Sequence, residues 1–355
     1  MKTRPRLPLL TRLFLAAAVA APLIISGVCR AEEKTSDNDQ RLKQMLKRRP
    51  EADANKDGIL TEAEVREFVA KQRPNRPEPP KPDFADVQYG PNPKMLMDVY
   101  LAKSDKPAPV VVHVHGGGFI GGDKREAAGL ASQFTRAGIS VASINYRMLP
   151  EFRFPAPMQD GARAIQFIRS KAAEWNIDPA RIGASGGSAG AAISLWIAFH
   201  DDLADPKSGD PVARQSTRIT CAAVSAAQTS YDPRFADELG LPQLKQHPSI
   251  SAIFGITKLG EYTPEAVKIM EDTAPINHLT AGDPPVLLRY GQGTDGKDQI
   301  HHPNFGMALK KKADPLEVEC IVQYPGNPDP AGDPRGGESF LDFLKRHFGM
   351  TSEAR

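Results

Sequence analysis

Two overlapping Gly-x-Ser-x-Gly patterns fall within residues 183–190, one centred on Ser185 and one on Ser188. A serine flanked by glycines where a strand runs into a helix is thrust out on a sharp turn, and that is how a hydroxyl becomes a nucleophile. Helix physics chooses between the two. A turn at Ser185 would make the helix open on Gly186 and Gly187, each costing about 1 kcal/mol against alanine, after a strand of almost no length. A turn at Ser188 lets it open on Ala189 and continue through the apolar run 191–199. Ser188 is therefore the expected nucleophile, and Ser185 the last side chain of the strand.

About 70 residues upstream, Val110-Val111-Val112-His113-Val114-His115-Gly116-Gly117-Gly118-Phe119 reads as a β-branched strand ending in a histidine and three glycines. Glycines there allow two backbone N–H groups to face a developing oxyanion with no Cβ in the way, and such donors are worth about 3–4 kcal/mol each in acyl transfer. The N–H of Ala189, first in the helix after the serine, would be a third. His113 and His115 read as structural, one alternating within the strand and the other packing under the loop.

With these motifs in place, residues 83–349 resemble the α/β-hydrolase superfamily, and within it the carboxylesterases related to hormone-sensitive lipase and the bacterial feruloyl-esterase-like group. The matching text is Leu96-Met97-Asp98-Val99-Tyr100-Leu101, the His-Gly-Gly-Gly block, Tyr146-Arg147, Phe154-Pro155-Ala156-Pro157 and Gly187-Ser188-Ala189-Gly190. The resemblance implies a Ser-His-Asp esterase acting on acyl esters, with oxyanion donors at Gly117, Gly118 and Ala189. It places the acid after the strand 285–291, at Asp295 with Asp298 as runner-up. It also places the histidine a few residues beyond Pro325-Gly326, yet residues 327–337 contain none. His347 lies in a basic cluster at a helix end, where it suits the helix dipole. The base is therefore expected from His301-His302, in the acid's own loop, with His302 ahead of His301. The rival expectation is a non-catalytic, hydrolase-fold binding protein, because a serine without a base is a weak nucleophile.

The positioning elements follow from periodicity. Apolar strands at 110–114, 139–145, 182–185, 219–226, 285–290 and 318–324 alternate with helices such as 160–175 and 303–312, and a last helix at 338–348 closes the domain. Such alternation predicts an α/β fold, a mostly parallel sheet with helices on both faces and ligands at the strands' carboxyl ends. Trp175 and Trp196 sit among apolar helical neighbours as core. His200-Asp201-Asp202 and Asp205 read as a solvated helix end, and His278 as a cap. Cys221 and Cys320 fall on strands separated by another strand, too far apart for a disulfide.

The front end carries two further signals. Lys2, Arg4, Arg6 and Arg12 precede an apolar run over 13–28 that ends near Cys29-Arg30-Ala31. This predicts a signal peptide cleaved near Ala31 and a secreted or periplasmic protein without a permanent membrane anchor. Loss of the five basic residues Lys2, Arg4, Arg6, Arg12 and Arg30 turns the formal charge of +2 into −3, which leaves no nucleic-acid footprint. Next, residues 53–64 fit the EF-hand loop: Asp53, Asn55 and Asp57 supply oxygens, Gly58 the turn, Ile59 a carbonyl, Thr61 a water-mediated contact and Glu64 a bidentate carboxylate. Such hard oxygens imply Ca²⁺, at the ~10⁻⁴–10⁻³ M affinity of extracellular modules. The expected order is signal peptide 1–31, EF-hand helix-loop-helix 32–72, proline-rich linker 73–82, α/β-hydrolase domain 83–350 and tail 351–355. Small or polysaccharide esters are the expected substrates.

Overall fold

The computed structural model describes residues 35–37, 40–72, 80–256, 260–327, 329 and 337–350. The chain divides into two compact units, Met1–Glu78 and Pro79–Arg355. The expected leader, most of the proline-rich linker and the tail lie outside the described residues. No helix among the described residues is long and apolar enough to cross a membrane.

In the smaller unit, α1 (Gln40–Arg48) and α2 (Glu62–Gln72) flank the acidic loop. Pro50 ends α1 but opens a 3₁₀ turn, Pro50–Ala52, at a first position where a missing N–H costs nothing. Leu42, Ala52 and Leu60 make a small buried core. Ser36 N–H donates to the Leu60 carbonyl at 2.8 Å, and Leu60 N–H returns a bond to Ser36 Oγ at 2.9 Å. Within the loop, Asp53 accepts from the N–H groups of Lys56 (2.7 Å) and Gly58 (2.9 Å), Asn55 from Asp57 (2.9 Å), and Asp57 from Ile59 (2.8 Å). Glu64 accepts from the backbone and hydroxyl of Thr61. Gly58, at φ +84°, makes the bend.

The larger unit is an eight-stranded sheet built from β1 (Phe84–Gln88), β2 (Leu96–Tyr100), β3 (Ala108–Val114), β4 (Ser140–Ile144), β5 (Ile177–Gly187), β6 (Ala222–Ser225), β7 (Val286–Arg289) and β8 (Cys320–Gln323). Their order is β1-β2-β4-β3-β5-β6-β7-β8, antiparallel across β1, β2 and β4 and parallel from there on. The interleaved helices are α3 (Ala128–Arg136), α4 (Ala156–Lys171), α5 (Ala189–Phe199), α6 (Pro248–Phe254), α7 (Pro264–Asp272), α8 (Pro275–His278), α9 (Asn304–Ala313) and α10 (Phe340–His347). Strand alternation sorts the core onto two faces. Val110, Val112 and Val114 pack with Ile165 and Ile168 of α4, whereas Val111 packs with Phe134 of α3 and Phe343 and Leu344 of α10. Helix α5 is apolar except for Ser194, whose hydroxyl donates to the Ser185 and Gly190 carbonyls, and every one of its residues is buried, as a central helix requires.

Several expected bounds shift. Helix α4 begins at Ala156 rather than 160, because Pro157 sits in the first turn, where proline is tolerated. Strand β6 keeps only Ala222–Ser225 of the expected 219–226. Between β6 and β7 the chain leaves the sheet for 3₁₀ turns at Pro233–Ala236 and Pro242–Gln246, followed by α6, α7 and α8. Cys221 and Cys320 are free and buried on either side of β7, and burial pushes both thiols up to about 12.

Candidate active site

Ser188 stands between β5 and α5 with φ 52° and ψ −119°, a backbone conformation that costs an L-residue about 1–3 kcal/mol and so needs support. The support is close packing. A Cβ on Gly190 would lie 2.0 Å from the Val114 carbonyl oxygen, so only glycine lets the start of α5 press against the end of β3. Ser188 N–H also donates to the Ser225 carbonyl at 2.9 Å. Ser185 stays in the strand, its hydroxyl bonded to His113 Nδ1 at 2.9 Å. Burial drives His113 down to about 4, with His115 adding to the effect. His115 stacks on Tyr146 and bonds the Gly116 carbonyl through Nδ1, which matches a structural role.

Ser188 Oγ lies 3.0 Å from Nε2 of His301, and His301 Nδ1 lies 2.7 Å from Oδ2 of Asp298. The histidine that reaches the serine is thus His301 and not His302, and the carboxylate behind it is Asp298 and not Asp295. The reason is helical phase. Asp298 immediately precedes a 3₁₀ turn over Gln299–His301, and with three residues to a turn 298 and 301 fall on one side while His302, past the end of the turn, points elsewhere. His302 is buried with both ring nitrogens occupied: Nε2 bonds the Thr294 carbonyl at 3.1 Å, and Nδ1 accepts from Asn304 N–H at 3.2 Å. Asp295 is exposed, three residues before the carboxylate that His301 engages. Partial burial pulls the Asp298 carboxyl up. The His301 hydrogen bond and charge, with N–H groups of His301 and Ile300, outweigh it and hold the carboxyl below its ordinary value.

Gly117, Gly118 and Phe119 line a cavity of about 430 Å³ together with Ser188 and His301. Gly117 has φ +105°, and a Cβ there would lie 2.1 Å from the Gly121 carbonyl oxygen. Its own carbonyl accepts from Ile120 and Gly121, forming the tight turn that carries Gly118 past the serine. Ala189, buried, is the first residue of α5, so its N–H is among those a helix leaves without an internal partner.

Gln228, Tyr231, His247 and Ile253, which no motif in the sequence marks, line the same cavity. All four come from the excursion between β6 and β7, and the only signal was the unexplained length from 226 to 285. Gln228, fully buried, donates to the carbonyls of Ala226 and Ile300 and accepts from the Tyr231 hydroxyl at 2.7 Å. It ties the backbone beside His301 to the end of β6. Burial lowers the His247 pKa, with His301 acting in the same sense and Asp298 against it.

The sheet order and the Ser188–His301 pairing put the larger unit in the α/β-hydrolase class. The chain belongs to the BD-FAE family, whose model matches residues 97–312. It is 30% identical over 207 residues to the probable isoprenylcysteine alpha-carbonyl methylesterase ICMEL1 of Arabidopsis thaliana, covering 58% of this chain and 42% of that one. Over 152 residues it is 32% identical to the esterase LipQ of Mycobacterium tuberculosis, covering 41% and 34%. The chain thus spans less than half the length of these curated relatives. Among solved structures, the acetyl ester-xyloside bifunctional hydrolase of Caldicellulosiruptor lactoaceticus superposes with a TM-score of 0.55 at 25% identity, covering 67% of this chain and 80% of that one. The butyrate-bound Est2 esterase of Thermogutta terrifontis has a TM-score of 0.57 at 18% identity, covering 79% and 98%.

Proposed function

We propose that the protein is an exported esterase that removes short acyl groups, acetyl foremost, from small or saccharide esters. The observation that carries this reading is the unbroken bond series from Ser188 Oγ through His301 to Asp298. Asp298 accepts from Nδ1–H and so fixes the tautomer whose Nε2 takes the serine proton. Ser188 Oγ then attacks the ester carbonyl while N–H groups of Gly117, Gly118 and Ala189 receive the oxyanion. Protonated His301 returns its proton to the departing alkoxide, leaving an acyl-serine, and the same ring activates the water that releases the acid. Phe119, Tyr231, Ile253 and Ile300 give the cavity apolar walls, which suit a short acyl chain. The name of the Caldicellulosiruptor relative supports acetylated xylosides as the alcohol side. The binding-protein reading rested on the missing histidine after β8, and His301 supplies the base that it lacked.

The smaller unit's loop fits calcium by its chemistry: Asp53, Asn55, Asp57 and Glu64 spend only part of their oxygen lone pairs on the loop's own N–H groups. Those residues, with the Ile59 carbonyl and a water on Thr61, would hold Ca²⁺ and stiffen the helix pair. Export rests on the leader-like residues 1–31.

The test is hydrolysis of p-nitrophenyl acetate, butyrate and octanoate and of acetylated xylo-oligosaccharides by the mature protein beside Ser188→Ala. Fast turnover of the short esters that vanishes in the variant is expected. Equal inactivity of both proteins on every ester would overturn the esterase reading.

A further inference from the structure

At the far end of α5 from Ser188, three potential ligands converge from different elements. His200 caps the C-terminus of α5, Asp272 ends α7 and His278 ends α8. One ligand atom from each lies within 4.8 Å of the others, and this is the only such group of three among the described residues. Nε2 of His200 is 3.9 Å from Oδ1 of Asp272. Around a tetrahedral metal with bonds of ~2.0–2.1 Å, ligand atoms stand roughly 3.4 Å apart, so modest side-chain rotations close the set.

The hydrogen bonds outside the cluster point the same way. His200 Nδ1 bonds the Asp201 carbonyl at 2.9 Å, and His278 Nε2 bonds the Asp272 carbonyl at 2.5 Å. A carbonyl only accepts, so each of these nitrogens carries a proton and donates. His200 is left with a lone pair on Nε2, and His278 with one on Nδ1. A backbone carbonyl fixing the tautomer of each ring is the arrangement that orients metal-bound histidines. Trp196 makes a floor, with its ring 4.1 Å from that of His200 and its Nε1–H donating to the same Asp272 carbonyl. The Asp272 side chain is half-exposed, so a metal can enter and a water can take the fourth position.

We infer that His200, Asp272 and His278 form a binding site for a borderline-soft divalent cation, zinc above all, that staples α5, α7 and α8 together. Two imidazoles and one carboxylate favour such a metal over calcium, whose preferred ligands are all oxygen. The site lies a helix length, roughly 17 Å, from Ser188, so its role is to fix the helix that carries the nucleophile and not to touch substrate.

The test uses tag-free mature protein saturated with Ca²⁺, so that hard-oxygen sites are already filled. Zn²⁺ titration by calorimetry should show one equivalent bound, weakened about 100-fold or more by the double variant His200→Gln, His278→Gln, and at least tenfold by Asp272→Asn. Co²⁺ should give the visible absorption of a four-coordinate ion and quench Trp196, leaving the fluorescence of Trp175, and Zn²⁺ should reverse both. The Co²⁺ measurement needs only the wild-type protein, so a variant that fails to fold does not block it. No saturable Zn²⁺ uptake, unchanged affinity in a folded double variant, or Co²⁺ binding without quenching would each overturn the assignment.

Discussion

Replacing His301 by alanine separates the relay from its nearest competitor, because His302 stands next to it in the chain but faces the interior. In the wild-type site, Nε2 of His301 is 3.0 Å from the nucleophile. A positioned general base contributes about 10²–10⁴-fold, and here its loss also strands Asp298. The oxyanion donors remain, so activity settles at a residual ~10³–10⁴ over water. We expect kcat on p-nitrophenyl acetate to fall about 10³–10⁴-fold, or roughly 4–5.5 kcal/mol, with KM nearly unchanged. The His301 side chain is only 34% exposed, enough for solvent imidazole to enter the vacated space and restore part of the rate. His302→Ala should behave in the opposite way. It removes a buried ring and two hydrogen bonds, costing about 2–4 kcal/mol of stability, yet leaves kcat within about tenfold while the protein stays folded. Steady-state kinetics beside circular-dichroism melts of both variants decide the matter. More than a tenth of wild-type kcat in folded His301→Ala, or a collapse of kcat in folded His302→Ala, would refute the reasoning.

Four further outcomes are expected. Asp298→Asn should lower kcat by about 10²–10³-fold, less than the ~10⁴ of a fully buried acid, because its carboxylate is half-exposed and water can stand in; a rate unchanged from wild type would remove Asp298 from the relay. His113, held neutral by burial with a pKa of about 4 against 6.5 unfolded, contributes stability that is complete above pH 6.5 and lost as the pH falls to 4, on the order of 3 kcal/mol. Urea midpoints measured across that window should fall in wild type and flatten in His113→Gln. Asp160 is fully buried and holds Arg147 through its backbone N–H, Nε and Nη2, so Asp160→Ala removes charge-assisted hydrogen bonds from a quarter-exposed guanidinium and should cost about 1.5–3 kcal/mol, seen as a lower Tm by scanning fluorimetry. Calcium titration of Glu64→Gln should show binding at least tenfold weaker than wild type, and equal binding would dismiss the loop as a calcium site.

Much of the fold was legible because the strands announce themselves: Val110-Val111-Val112 and Leu287-Leu288 are buried on both faces and need no alternation. Ser188 was legible for the same kind of reason, since the cost of two glycines at a helix start excludes Ser185. The excursion after β6 was not, because helices as short as α6 and α8, each opening on a proline, carry too little periodicity to read. The choice of histidine failed on phase. A sequence shows that His301 and His302 share a loop with two aspartates, but only the 3₁₀ turn from Asp298 decides which ring faces the serine. The three ligands around Trp196 come from three separate elements, so no local spacing could have joined them; His200 looked like a solvated helix end and His278 like a cap.

Because acid and base sit three residues apart on one turn, the proton-handling half of this site is a local module and not a meeting of two distant loops. His301 and Asp298 meet within residues 298–301, and no described residue after β8 takes part in that bond. A relative that still keeps a histidine there would therefore hold two candidate bases for one serine. Such redundancy provides a continuous route by which a catalytic group can migrate along a chain while every intermediate remains active.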